Sequence, residues 1–335
     1  MFIEKMKWYD ENMKKQYLFS IIFILLIMSC NTTGHNNVLN NPYKKIENYN
    51  GNVSLYIKDR IIGPNQFVIN RINQMDVTDM YSGYELTDIE KNTFMEYYDL
   101  LPETYKNIMK EKIYAIYFIN NFKGAGMVDC VFDGNNNAYM ILFFNRELLN
   151  KTISEWIEYR DNSSFTNNEN INIEASFNTD YLALLFGLLH ETSHIYDFYH
   201  NITPYIDPFL MNIYKIDYSK HFIQNIWDDF KKPKNIYDFL SIYKISFYDL
   251  GNKIDKELSM ELYENLINTP FSSLYGSASW AEDFAETYTY YYLNKYFGIR
   301  YELKIYKDSE LNVIYCPNDN PLVVERYRFF EKIYK

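Results

Sequence analysis

Three residues in the stretch Leu189-His190-Glu191-Thr192-Ser193-His194-Ile195 have the types and spacing for hydrolytic chemistry. On an α-helix, positions i and i+4 lie one above the other on the same face, so His190 and His194 present two imidazole nitrogens to a single metal ion. Glu191, directly after the first histidine, then reaches a water held at that metal. This is the HExxH arrangement, in which zinc lowers the pKa of its water and the glutamate takes the proton as the oxygen attacks a carbonyl. One Zn²⁺ per chain is the expected cofactor. A hydrolytic zinc usually takes three protein ligands and keeps its fourth position for water, so a third ligand must come from elsewhere.

Two residues compete for that position. Glu282 lies in Trp280-Ala281-Glu282-Asp283-Phe284-Ala285-Glu286-Thr287-Tyr288, a stretch with a helical pattern, and Glu286 follows one turn later on the same face. From there Glu286 can accept a hydrogen bond from a metal-bound histidine and so fix its tautomer. The rival is His200, whose spacing from His194 is that of the metzincin extension, with Asp197 at the place of that motif's glycine. On a continuous helix six residues turn through about 600°, which leaves His200 about 120° off the metal face. It reaches the metal only if the helix breaks near Asp197, at a backbone cost that glycine avoids. The expected third ligand is therefore Glu282. Asp197, one turn after His194, is expected to support the metal site as a hydrogen-bond acceptor or to face solvent.

These groups need elements to hold them. Asn178-Thr179-Asp180 offers an N-cap for a helix over about Tyr181 to Tyr199, ending near Asn201 and Pro204. Leu182, Leu184, Leu185, Leu188 and Leu189 surround its first half, so the histidines are buried and require polar partners. Thr87-Asp88-Ile89-Glu90 has capping-box spacing and predicts a helix from about Asp88 to Leu100, followed after Pro102 by a second from Glu103 to Lys112. Tyr114 to Ile119 predicts a strand. Met127 to Asp133 and Ala138 to Phe144, joined by Gly134-Asn135-Asn136-Asn137, predict a hairpin. Arg146 to Tyr159 is helical in pattern, Asn162 to Asn170 is a polar loop, and Ile171 to Ala175 is an edge strand. Val53 to Ile57 and Gln66 to Ile69 are short strand candidates around Gly63-Pro64, and Asp207 to Asn268 reads as several helices. The fold class is α+β, with a small mixed sheet ahead of the metal helix and a mostly helical C-terminal half.

The 335 residues are enough for one large domain with a leading piece. A formal net charge of -11 without a basic patch excludes a nucleic-acid backbone as partner. The 35 tyrosines accompany heavy use of isoleucine, asparagine, lysine and phenylalanine, and that bias gives tyrosine as a class no functional weight. Met13-Lys14-Lys15 and the apolar run from Tyr17 to Met28 form a secretory signal, with translation starting at Met1 or Met13. The run is too short for a comfortable membrane span of about twenty residues, although an uncleaved anchor is the alternative. It ends at Ile27-Met28-Ser29-Cys30, which resembles a bacterial lipobox. That resemblance implies cleavage before Cys30, lipid on its thiol, and a body held outside the cytoplasmic membrane. The expected organisation is a signal peptide over 1–29, a lipidated tether over 30–52, an N-terminal extension over 53–86 and the main domain over 87–335. The remaining cysteines, Cys130 and Cys316, could pair in an oxidising compartment.

The two motifs together resemble those of the lethal-factor-like zinc metallopeptidases, the group that includes the anthrax lethal factor catalytic domain and the clostridial Pro-Pro endopeptidases. The HExxH at His190 to His194 matches. So does Tyr275-Gly276 followed by Ala281-Glu282-Asp283-Phe284-Ala285-Glu286, with a tyrosine seven residues before the glutamate. The resemblance implies a zincin-like domain in which Glu282 is the third zinc ligand and Tyr275 donates a hydrogen bond to the tetrahedral oxyanion. Gly124-Ala125-Gly126 and the hairpin after it resemble the small sheet ahead of the active-site helix. The likeness covers roughly residues 90 to 300. The segment between His194 and Glu282 is about forty residues longer than in those relatives, an inserted helical portion over about 205–270. The implied activity is that of a membrane-anchored zinc metalloendopeptidase with a peptide or protein substrate, which adds to the sheet edge. The alternatives are a surface lipoprotein that binds a partner without catalysis, and a metzincin-type peptidase using His200.

Overall fold

The computed structural model describes residues 41–204, 217–237 and 245–333. Signal peptide, lipobox and Cys30 lie outside the described residues. Two strands with apolar side chains on both faces set up the first sheet. In β2 (Ile113–Asn120) and β4 (Ala138–Asn145) successive side chains alternate between two buried faces, which is why neither strand has a polar side. The pair is parallel and is flanked by antiparallel β1 (Ser82–Tyr84) and β3 (Gly126–Phe132), giving the mixed order β1-β2-β4-β3. The strand β3 is therefore an edge. On one face Ala115, Tyr117, Ile141 and Phe143 pack against Tyr49, Val68 and Ile72. On the other, Ile116, Phe118, Leu142 and Phe144 enter the main core with the leucines of the metal helix.

Residues before the sheet depart from expectation. Gln66–Met75 is a helix, α1, where a strand was expected, because the Asn65 side chain accepts from Val68 N and the buried Val68 and Ile72 lie one turn apart. Val53 to Ile57 is not a strand either. The buried Arg60 donates to the carbonyls of Val53, Leu55, Met109 and Ile113, which folds that stretch around its guanidinium. The expected tether also ends early: Tyr49 is 1% exposed, Lys45 bridges Phe132 of β3, and Lys44 and Arg71 both pair with the buried Asp129. Residues from Pro42 onward thus belong to the packed domain.

Helix α2 (Asp88–Asp99) has both halves of its Thr87/Glu90 capping box, and α3 (Glu103–Lys112) has the predicted bounds. Helix α4 (Ile153–Ser163) starts later than expected, at a capping box of Thr152 and Glu155, after a 3-10 turn over Arg146–Leu149. It also takes up the first residues of the anticipated polar loop. The edge strand β5 (Ile171–Phe177) alternates buried and exposed side chains as read. Its partners are a correction to the mostly helical C-terminal half. A hairpin of β8 (Tyr301–Lys307) and β9 (Glu310–Tyr315) completes an antiparallel sheet β5-β8-β9, turning at Asp308 and Ser309 with positive φ. Between His194 and Glu282, the described residues after α-helical His200 hold a short hairpin, β6 (Trp227–Asp229) with β7 (Lys232–Pro233), one α-helix, α6 (Ser259–Leu266), and 3-10 turns at Asn235–Tyr237, Lys256–Leu258 and Tyr275–Ala278, where several helices were anticipated. Two further helices, α7 (Trp280–Phe297) and α8 (Pro321–Ile333), complete the fold. Cys130 and Cys316 form no disulfide.

Candidate metal centre

The metal helix α5 runs over Ala183–His200 and begins later than its expected cap. Leu182 occupies the N-cap without a side-chain bond. The first helical N–H is satisfied by tertiary structure instead, Ala183 N donating to Lys151 O at 2.8 Å. The helix is buried nearly all round. One side packs on α3, where Ser193 Oγ meets the Tyr105 hydroxyl at 2.9 Å. Another faces α7, whose Ser279 N-cap accepts from Glu282 N at 3.2 Å. Ser279 and Glu282 have capping-box spacing, yet the Glu282 carboxylate turns away from the cap toward the histidines.

Three ligand atoms converge there. His190 Nε2 lies 3.0 Å from Glu282 Oε2 and 3.2 Å from His194 Nε2, and His194 Nε2 lies 3.7 Å from Glu282 Oε2. A tetrahedral ion with bonds of about 2.0–2.1 Å sets its ligand atoms about 3.3–3.4 Å apart, so the triangle has the right size. His190, His194 and Glu282 can therefore hold a metal ion.

The electrostatics agree. Burial alone would lower the His190 pKa, but the carboxylates of Glu282 and Glu286 push it up to about 10, so a positive charge is favoured at this point. Burial likewise opposes the charge on Glu282, and the two histidines nevertheless hold its carboxyl far below the usual carboxylate range. Behind the site, His190 Nδ1 sits 3.2 Å from Glu286 Oε1. As placed, the two atoms make no hydrogen bond to each other, and neither has another hydrogen-bond partner. Coordination through Nε2 would place the ring proton on Nδ1, facing Glu286, and complete this pair. Glu286 stays ionised despite full burial, chiefly through Arg160, whose Nη1 donates to Oε2 at 2.9 Å; Ser273 Oγ donates to the same oxygen at 2.6 Å.

Glu191 is 4% exposed, and burial raises its pKa against the pull of both histidines, so its carboxylate holds a proton more readily than an exposed one. Gly126 fits against it. A Cβ on Gly126 would lie 2.8 Å from Glu191 Cγ and 2.8 Å from Phe143 O, so only glycine lets the edge strand approach the glutamate. Tyr275 is half-buried with its ring 5.9 Å from that of His190, and no hydrogen bond to a described residue holds its hydroxyl. Burial, then the Glu282 charge, keeps the phenol well above its ordinary pKa and therefore a neutral donor. A cavity of about 520 Å³ opens beside Glu282 and Tyr275, walled by Phe230, Pro233, Ile245 and Phe247. Two smaller ones follow β3, one of about 170 Å³ at Gly124 to Met127 and one of about 210 Å³ where Val128 and Cys130 meet His194.

Two expected residues serve other ends. Helix α5 continues unbroken through His200, which is exposed and rests on the Tyr196 ring at 4.1 Å rather than joining the ligand group. Asp197 is buried and accepts from both Thr203 N at 2.6 Å and Thr203 Oγ1 at 2.5 Å, so its carboxylate shapes the turn after the helix. Arg160 was missed, although its sequence carried a signal: with Ile153, Trp156 and Ile157 it occupies the i, i+3, i+4, i+7 stripe of α4, where a charge demands a buried partner. Comparison with protein families, with curated proteins and with solved structures finds no match.

Proposed function

We propose that this chain is a zinc-dependent endopeptidase that cleaves extended peptide segments laid along β3. The observation that carries the reading is the convergence of two histidines and a glutamate at tetrahedral spacing, with the buried Glu191 carboxylate and a phenol beside them. Two nitrogens and one oxygen in a closed set of three suit zinc, and leave a fourth position for water. Such a zinc supplies a Lewis acid that makes water nucleophilic near neutral pH. Glu191, buried beside the ligand group, would accept a proton from a water attacking the scissile carbonyl and return it to the leaving amine. Tyr275, held neutral, donates to the carbonyl oxygen as charge develops there. The edge of β3 ahead of its bridge to Lys45 at Phe132 supplies backbone groups that recognise an extended chain with little regard to sequence, and the cavities along it receive its side chains.

The order of parts supports a zincin-like arrangement: a mixed sheet with its edge at the site, the HExxH helix, then a second helix supplying the glutamate. Among the described residues no helix is long and apolar enough to cross a membrane. We assign attachment to the lipid on Cys30, on the pattern of residues 13–30, and place the reaction outside the cytoplasmic membrane. Replacement of Glu191 by glutamine should leave zinc bound and lower turnover of a peptide library by roughly 10²–10⁴-fold, whereas His194→Ala should lose both. Full activity in the Glu191→Gln protein would sink the assignment.

A further inference from the structure

The site has a cation of its own, which belongs to neither the ligand triangle nor the attack on substrate. Arg160 is 1% exposed. Its Nε donates to Asp161 Oδ1 at 2.9 Å and its Nη1 to Glu286 Oε2 at 2.9 Å, and Asp161 is fixed in turn by the Tyr301 hydroxyl at 2.6 Å. The guanidinium carbon also lies 5.1 Å from the centroid of the Tyr275 ring. One rigid, planar cation thus touches the carboxylate that backs His190 and the ring that carries the proposed oxyanion donor. Burying an arginine is costly unless every contact is used, and a simple structural cation would need only its carboxylates. Arg160 Nη2 also donates to the Tyr290 hydroxyl at 3.5 Å and the guanidinium carbon lies 5.9 Å from the centroid of the Phe186 ring, which complete its burial; Tyr275 is the ring contact that also flanks His190 and the cavity beside Glu282.

We infer that Arg160 is a positioning residue that sets His190, through Glu286, and Tyr275, through its ring face, in one arrangement. This rests on the peptidase reading for its kinetic half only. Through Glu286 it governs metal affinity, because the Glu286 carboxylate oxygen facing His190 Nδ1 is held in place by the bond on its other oxygen. Through Tyr275 it governs turnover, because a ring free to tilt moves its hydroxyl relative to the carbonyl it must meet.

The test uses Arg160→Met and Arg160→Lys, each also on Glu286→Gln and Tyr275→Phe backgrounds, with melting temperature, zinc affinity and steady-state kinetics measured on each. Arg160→Met should weaken zinc roughly 10–100-fold, the range found when a histidine's supporting partner is lost. Arg160→Lys keeps a charge near Glu286 but cannot bond two carboxylates and cover the ring. It should recover most of the zinc affinity and still show a lowered kcat at little-changed KM. The zinc effect should vanish in the Glu286→Gln background and the kcat effect in the Tyr275→Phe background, since coupled residues are not additive. A folded Arg160→Lys or Arg160→Met protein with wild-type zinc affinity and kcat overturns the inference, as does strict additivity in both cycles. If Arg160→Met fails to fold, the lysine variant and its two cycles still decide. A wild-type protein that binds zinc but hydrolyses no peptide overturns the peptidase reading instead, and leaves the zinc cycle to judge Arg160.

Discussion

Gly126 is the point at which the sheet meets Glu191, the proposed proton acceptor, and its missing side chain has a measurable meaning. Gly126→Ala puts a methyl group 2.8 Å from both Glu191 Cγ and the Phe143 carbonyl, and the backbone oxygen cannot swing aside. Either Glu191 or the strand must shift, and a displacement of about 1 Å at a reacting group costs on the order of 100-fold in rate. Peptidase assay should show that loss while metal analysis finds zinc at wild-type occupancy. His190 supplies a second prediction. Its folded-state pKa of about 10 lies above the ordinary 6.5, so in the metal-free chain its proton stabilises the fold fully below pH 6.5. That contribution is lost as pH rises through 10. Melting temperatures taken with a chelator should fall across this window, and added zinc should flatten the dependence by occupying Nε2. At this scale the sequence was most legible where chemistry is local. The i, i+4 spacing of His190 and His194, and of Glu282 and Glu286, follows from helix geometry alone. The meeting of Gly126 with Glu191, or of Arg160 with Glu286, is a product of tertiary packing and leaves only indirect traces.

Helix ends divide the elements into those that serve stability and those that also serve the site. Thr152 caps α4 and Ser279 caps α7, each accepting from the N–H three residues on. Thr152→Ala should cost about 1 kcal/mol in denaturant unfolding and leave zinc affinity unchanged. Ser279→Ala should cost a similar amount, and in addition weaken zinc several-fold, because the turn it caps carries Glu282. Equal zinc affinity in the two variants would contradict that division. Capping boxes and period-two strands were readable in advance, since each is a rule about neighbours. The start of α5 was not, because its first N–H is satisfied by Lys151, and nothing near Leu182 announces this. The β8-β9 hairpin is a different kind of miss. Tyr301, Leu303 and Ile305 alternate with Glu302 and Lys304 in plain strand fashion, but the helical pattern upstream was carried too far along the chain.

At the scale of the whole molecule, the segment ahead of the sheet proves to be half of its support. Asp129 on β3 holds Lys44 and Arg71 from that segment, all three buried. Asp129→Ala removes the carboxylate that Lys44 and Arg71 share, leaving Arg71 the Tyr43 carbonyl and the Tyr49 hydroxyl, and should lower unfolding free energy by roughly 3–5 kcal/mol, read from chemical denaturation; a change below about 1 kcal/mol would mean that water already reaches the cluster. Asparagine-rich composition reads as a tether there, whereas the packing of Tyr49, Val68 and Ile72 on the sheet depends on which face β2 and β4 leave uncovered. The early onset of packing also sets a length. From Cys30, the proposed site of lipid, to the packed residue Pro42 is about a dozen residues, a span that cannot exceed roughly 40 Å even fully stretched. Hydrolysis would then be confined to a shell about one domain deep above the bilayer. Rates there would depend on areal density and on how far a target stands from the lipid, and a cleavable sequence displayed beyond that height would go uncut.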